Sequence, residues 1–356
     1  MNPHPNAPDT PAARGYRMPA EWERHAATWI AWPHQHADWP GKFGPIPWVY
    51  CEIVRHLHCG EVVRILVNDA RAETRARGQL RRTGVDLNRV EFFQIATDRV
   101  WTRDYGPCFV REPAGNVAAV DWGFNGWAKY DNHQHDNAAA AHLLARLGIH
   151  NWQPLVDGRR VVLEGGSIDV NGAGLLLTTE ECLLSPVQCR NPGLSKQDYE
   201  KLFADYLGVQ KVLWLGRGIA GDDTHGHVDD LARFVGPRTV VTVVEHNSND
   251  DNYAPLQENL ERLRDMTDAD GHALEVVLMP MPRPLYFRRQ RLPASYANFY
   301  IANERVLVPT FNDPADRQAL GILAEQFPNR EIVGIHAVDL VWGLGTLHCL
   351  TQQHPA

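Results

Sequence analysis

Several absences narrow what this 356-residue chain can be. Its six cysteines include no Cys-x-x-Cys pair, so neither a zinc ribbon nor a thioredoxin-like redox site is suggested. Six in a chain this long do not make a disulfide framework either. No apolar run approaches bilayer-spanning length, so no membrane segment is expected. Basic residues, mostly arginine, are scattered rather than clustered, which argues against a nucleic-acid partner. Residues 1–18 (MNPHPNAPDTPAARGYRM) lack the apolar stretch of a signal peptide and read as a flexible N-terminal lead-in. The expectation is a soluble protein of a reducing, cytoplasmic compartment. Its net charge of −8 suits a small cationic ligand, because a negative field concentrates cations.

What is present is a recurring pattern. Helical periodicity with start and stop signals marks 47–60, 71–82, 136–148, 195–208, 254–266 and 313–327, with Ser195 and Asp313 as N-caps and Gly148 and Gly208 as stops. Short apolar strands lie between them, among them EVVRILV, VEFFQIA, VAAVDW, RVVLEGG, AGLLLTT, ASYANFYIA and RVLVPTF. The later helices begin near 136, 195, 254 and 314, a spacing of 59 to 60 residues. A constant period signals repeat architecture. Five such units use residues 19–356 without a linker, and a closed α/β ring explains this better than two tandem domains.

Polar residues of unusual type fall at one phase of the repeat. They sit in VWTRDYGP (100–107), LEGGS (163–167), GDDTHGHVDD (221–230), LPASYANFY (292–300) and VWGLGTLHCLTQQ (341–353). In a ring, equivalent positions converge on the axis, which would bring Asp104, Glu164, His227, Asp229 and Cys349 together. Cys349, following His348 in a stretch opened by Gly343 and Gly345, is a candidate nucleophile. His227 and Asp229, two apart, would share one side of an extended strand. A histidine among carboxylates suits general acid/base work. Carboxylates beside a thiol suit a cationic ligand, because a guanidinium matches two of them bidentately and its charge then favours the thiolate. Trp101 is placed to wall the ligand channel. A rival pattern, THGHVDD (224–230), offers His225, His227 and Asp229 to a zinc-dependent hydrolase. A non-catalytic guanidine-binding protein is the third reading.

Taken together, the stretches MPAEWERHAATWIAWP (18–33), VWTRDYGP, LEGGS, TTEECLLSPVQCRNPGLSKQDYEKL (178–202), GHVDDLARF, ASYANFYIAN and LHCLTQQ resemble the agmatine deiminase family of guanidine-modifying enzymes. The resemblance implies a five-bladed ββαβ propeller, the pentein fold, with pseudo-fivefold symmetry and the site on its central axis. It implies one catalytic domain over 19–356, no metal or other cofactor, and suggests a homodimer. It further implies Cys349 as nucleophile, His227 as general acid/base, Asp104 and Asp229 as a guanidinium clamp, Glu164 as an orienting group and Trp101 as channel wall. The substrate so implied is agmatine, hydrolysed to N-carbamoylputrescine and ammonia toward polyamines. Two departures, Gly343-Leu344-Gly345-Thr346 before the His-Cys pair and His225 in THGH, leave arginine or another guanidino compound as alternatives.

Overall fold

Helices begin and end largely where the caps place them. Ser195 accepts from the Asp198 N–H, and the Asp198 carboxylate accepts from the Ser195 N–H in return, starting the helix Lys196–Leu207; Gly208, at φ 70°, ends it. Asp69 caps Ala70–Arg82 through the Ala72 N–H, and Gly148, at φ 66°, stops Gln134–Leu147. Such caps satisfy backbone groups that a helix terminus leaves unpaired. Two further helices, Ile46–Leu57 and Tyr253–Asp265, match their expected spans closely. The last runs Ala315–Gln326 with Pro314 at the cap position, while Asp313 accepts from the Ala315 N–H at 2.9 Å. Its start is therefore later than expected. The intervals between these helix starts (134, 196, 253, 315) are 62, 57 and 62 residues, a looser period than the sequence suggested.

The computed structural model describes residues 9–356. Among them, five mixed sheets share one plan, in which a strand pairs antiparallel with the second and the second pairs parallel with a third. These are Cys108–Arg111, Val117–Val120 and Asn151–Trp152; Asp169–Val170, Leu175–Thr179 and Lys211–Leu215; and Ala232–Phe234, Thr239–Val244 and Glu275–Pro280. The fourth is Tyr300–Ile301, Arg305–Thr310 and Glu331–His336. In the fifth, Gln352–Pro355 pairs antiparallel with His25–Ala31, which continues parallel to Val62–Val67 and then Val90–Gln94. Each second-to-third connection carries one of the helices, as a parallel pairing requires a long crossover. Apolar faces of sheets and helices make the core, where Trp29, Tyr50, Phe234, Tyr296 and Phe299 are almost wholly buried. A second cluster, around Tyr199, Phe203 and Trp122, covers the helix Lys196–Leu207.

Four expectations need correction. RVVLEGG is not a continuous strand: Arg160 ends the two-residue strand Arg159–Arg160, and beyond it only a bridge between Val162 and Gly123 forms, flanked by the buried Val161 and Leu163. In ASYANFYIA only Tyr300–Ile301 pairs. His227 precedes a 3₁₀ turn, Val228–Asp230, so His227 and Asp229 are not on an extended strand. Residues 9–18 are packed rather than loose: Arg17 bridges Arg111, the Met18 N–H bonds Leu207 O at 2.9 Å, and Met18 is buried. Residues 1–8 of the expected lead-in lie outside the described residues. No helix among those described is long and apolar enough to cross a membrane.

Candidate active site

Every candidate residue sits in the segment that leads into the first strand of a sheet. Asp104 lies on the short helix Thr102–Tyr105 before Cys108–Arg111, Glu164 before Asp169–Val170, His227 and Asp229 before Ala232–Phe234, and Cys349 before Gln352–Pro355. The equivalent segment of the remaining sheet carries Asn298, ahead of Tyr300–Ile301. One structural position, used five times, therefore supplies the whole set.

These side chains meet over Gly166. A Cβ added there would come within 2.6 Å of His227 Nδ1, 2.8 Å of Asp104 Oδ1 and 3.1 Å of Asp229 Oδ2, so only glycine fits. His227 Nδ1 is 3.8 Å from Asp104 Oδ1, and its Nε2 is 3.8 Å from Glu164 Oε2. The Cys349 thiol lies 3.6 Å from Asp229 Oδ2, and Asn298 Nδ2 donates to Cys349 Sγ at 3.1 Å. Asp104 is fixed by Trp127 Nε1–H on Oδ2 (2.9 Å) and the Gly166 N–H on Oδ1 (3.1 Å). Glu164 Oε1 accepts from Arg190 Nε at 3.0 Å. All five predicted residues are buried, yet Glu164 Oε2, Asp229 Oδ1 and both His227 ring nitrogens have no protein partner. Buried polar atoms are normally paired, so these point to a polar ligand.

Electrostatics sort the carboxylates. Burial, then the neighbouring Asp229 and Glu164 charges, push Asp104 up to about 6 against the pull of His227. Burial also raises Glu164, but the Arg190 and His227 charges overcome it and hold Glu164 at about 2. Asp229 stays below its ordinary value despite burial, through its bond to His348. Burial disfavours a charged His227, but Asp104, Cys182 and Glu164 outweigh it and raise its pKa well above normal. Burial and the charges of Asp229, Asp230 and Asp104 push the Cys349 thiol well up. The unliganded site thus favours a protonated thiol beside a charged imidazole.

A cavity of about 220 Å³ opens onto Asp104 and Cys349, walled by Trp101, Trp127, Tyr130 and Leu344. That is small beside the roughly 300–1,000 Å³ typical for drug-sized ligands. Trp101, one of the lining residues, packs on Trp39 with ring centroids 5.6 Å apart. Gly343 and Gly345 are not among the glycines with a left-handed backbone. They make room for indoles: a Cβ would fall 2.6 Å from Trp39 at Gly343 and 2.9 Å from Trp101 at Gly345. The left-handed residue is Leu344, at φ 68°.

The zinc set does not assemble. His225 Nε2 turns to Ser185 Oγ at 3.1 Å. Among the described residues the clusters with donor atoms within 4.8 Å are Glu164–Cys182–His227 and the partly exposed Asp268–Asp270–His272, and His225 is in neither. In the buried cluster Arg190 Nε already pairs with Glu164 Oε1 at 3.0 Å, so the Glu164 charge has a cation beside it. Sequence reasoning missed Asn298, His348, Trp127, Arg190 and Gly166. All but Trp127 lay inside stretches already singled out, which was the only signal available for them.

The chain is similar to known proteins over nearly its whole length. Residues 17–355 match the family described as Porphyromonas-type peptidyl-arginine deiminase. The chain is 36% identical to the agmatine deiminase of Pseudomonas aeruginosa (strain LESB58), over 99% of this chain and 98% of that one. A solved agmatine deiminase of Enterococcus faecalis superposes with a TM-score of 0.89 at 33% identity, covering 97% of both chains. A cysteine-to-serine variant of C. jejuni agmatine deiminase, solved with substrate bound, superposes with a TM-score of 0.84 at 30% identity, over 96% of both.

Proposed function

The chain belongs to the Porphyromonas-type peptidyl-arginine deiminase family, with its α/β pentein fold, and from that premise we propose that it is an agmatine deiminase. It hydrolyses agmatine to N-carbamoylputrescine and ammonia, a step toward putrescine. Curated relatives at 35–37% identity over nearly the full chain carry that activity in their names. The observation that carries the reading is a buried thiol ringed by carboxylates, two of which keep an unpartnered oxygen, Glu164 Oε2 and Asp229 Oδ1.

Asp104 and Asp229 clamp the guanidinium nitrogens, and Trp101 flanks the aliphatic tail. The bound cation lowers the cost of a thiolate, so the thiol releases its proton to solvent and Cys349 Sγ attacks the guanidinium carbon. His227, charged before reaction, protonates the departing nitrogen, so ammonia leaves and an S-alkylthiouronium remains. The now neutral His227 takes a proton from water, whose oxygen attacks the same carbon. Collapse forms the urea and returns the thiol. Glu164, held by Arg190, keeps the His227 ring in place. No step requires a metal.

We also propose that the five sheets are five blades of one propeller, 19–356, with pseudo-fivefold symmetry about the site. The pairing of Gln352–Pro355 with His25–Ala31, which joins the two ends of the chain, supports closure. So does the recurrence of the site residues before each first strand. The free state of all six cysteines supports a cytoplasmic setting.

The test is ammonia release by chelator-treated protein, with agmatine and arginine side by side and Cys349→Ala as control. Turnover of agmatine that survives chelator and disappears in Cys349→Ala is expected. Preference for arginine would overturn the substrate, and full activity in Cys349→Ala would overturn the mechanism.

A further inference from the structure

His348 precedes the nucleophile in sequence, but its side chain points away from it into a buried charge network. Its Nδ1 lies 2.7 Å from Asp229 Oδ2 and its Nε2 lies 2.8 Å from Glu21 Oε2. A neutral imidazole has one N–H and would set a lone pair against one carboxylate; only the imidazolium donates to both. Glu21 is anchored in turn. Its Oε1 accepts from the Ile301 N–H (2.8 Å) and is ion-paired with Arg233 Nη2 at 2.9 Å, and its Oε2 also accepts from Arg103 Nη2 (3.1 Å). Arg233 binds Asp169 at 2.8 Å as well. With His348 charged, the network holds three cations and three anions, and all six residues are buried. A neutral His348 would leave an uncompensated negative charge against the nucleophile.

The arrangement divides the two oxygens of Asp229. Oδ2 is taken by His348 and lies beside Cys349 Sγ, whereas Oδ1 is buried without a partner. We propose that His348 and Glu21 form a positioning pair: the imidazolium bridges Glu21 and Asp229, holding Asp229 Oδ2 inside the protein and leaving Oδ1 to the substrate guanidinium. The pair touches no reacting atom and acts through Asp229. This inference rests on the deiminase reading. It adds that the grip of Asp229 on a planar cation depends on a salt-bridge chain reaching Glu21, 208 residues earlier in sequence.

The experiment compares wild type, His348→Gln and Glu21→Gln. In each, Cys349 is alkylated by 2-chloroacetamidine, a planar cation, and by chloroacetamide, its neutral counterpart of similar size; agmatine kinetics and thermal unfolding are also measured. Wild type should prefer the cationic reagent. His348→Gln should lose that preference by tenfold or more and raise KM for agmatine by a larger factor than it lowers kcat. Glu21→Gln should move both in the same direction by less. Unchanged preference in His348→Gln, or a fall in kcat with KM and preference intact, overturns the proposal. If His348→Gln shows no cooperative unfolding, Glu21→Gln decides: unchanged preference there overturns it. Absence of agmatine turnover in wild type would refute agmatine as the substrate alone, because the alkylation ratio needs no turnover.

Discussion

Asp104→Asn separates function from stability in opposite directions. The carboxylate is raised from 3.8 to about 6, first by burial and then by Asp229 and Glu164. At neutral pH its ionised form is thus disfavoured in the unliganded fold by about 3 kcal/mol, at about 1.4 kcal/mol per pH unit. Asparagine removes that term. It retains one oxygen, so it serves either the Trp127 N–H or the Gly166 N–H and turns its amide against the other, at about 1–3 kcal/mol. The unliganded variant should therefore be between equally stable and about 2 kcal/mol more stable. Catalysis should move the other way. Two charge-assisted bonds to a guanidinium contribute about 1.5–3 kcal/mol each, and one neutral acceptor returns about 1. Loss of about 2–5 kcal/mol corresponds to a fall in kcat/KM of about 30- to 4,000-fold. The assay is ammonia release from agmatine beside denaturant unfolding without substrate. Unchanged kinetics, or a kinetic loss accompanied by more than about 2 kcal/mol of destabilisation, would refute a charge role for Asp104.

Two other perturbations follow from the same electrostatics. Because Asp104 is raised, the folded protein retains between about pH 4 and 6 a proton that the unfolded chain has released. That contribution to stability is present at low pH and is lost as pH rises through about 6. Cation binding needs the ionised form, so kcat/KM for agmatine should rise through pH about 6, and Asp104→Asn should lack that limb in a pH–rate profile. Arg190→Met would strand the fully buried Glu164 carboxylate, at about 3–5 kcal/mol of stability. Urea unfolding near neutral pH checks this, and a loss below about 1 kcal/mol would show that Glu164 is not held chiefly by Arg190.

The repeat could be read from the sequence because its second and third strands and crossover helices are local apolar patterns. Leu175–Thr179 and Thr239–Val244 announce themselves in this way. The closing strand Gln352–Pro355 does not, being polar, yet it is buried. Gln352 Nε2 donates to Pro107 O at 2.7 Å, Gln353 Oε1 accepts from Arg103 Nη1 at 2.7 Å, and His354 packs on Phe109 with ring centroids 4.3 Å apart. Partners some 250 residues away leave no local trace. The same division holds at the site. Cys349, Asp104, Glu164, His227 and Asp229 share a phase of the repeat, which a spacing argument can find. His348 and Asn298 owe their places to Glu21 and Cys349, at separations of 327 and 51 residues. The shape of the THGHVDD stretch was hidden for a related reason. His225 sits at φ 65° and Gly226 packs on Glu181, which forces a turn where alternation suggested a strand.

An acidic ring around a nucleophilic thiol looks self-defeating until the ligand is counted as part of the site. In the unliganded protein, burial, Asp229, Asp230 and Asp104 all oppose the thiolate, and only Asn298 donates to sulfur. A protonated Cys349 resists stray oxidants and alkylators, whose attack requires the thiolate. A guanidinium clamped by Asp104 and Asp229 neutralises the same charges that hold the proton in place. Opposite unit charges about 4 Å apart interact by about 4 kcal/mol at an intermediate dielectric, enough to shift a titration even after screening. The thiolate absorbance of wild type minus Cys349→Ala, followed against pH, should therefore have its midpoint lowered by about one pH unit or more when acetamidinium is added. A neutral amide of the same shape, acetamide, should leave it in place. If both leave the midpoint unchanged, the carboxylates do not couple ligand binding to the thiol.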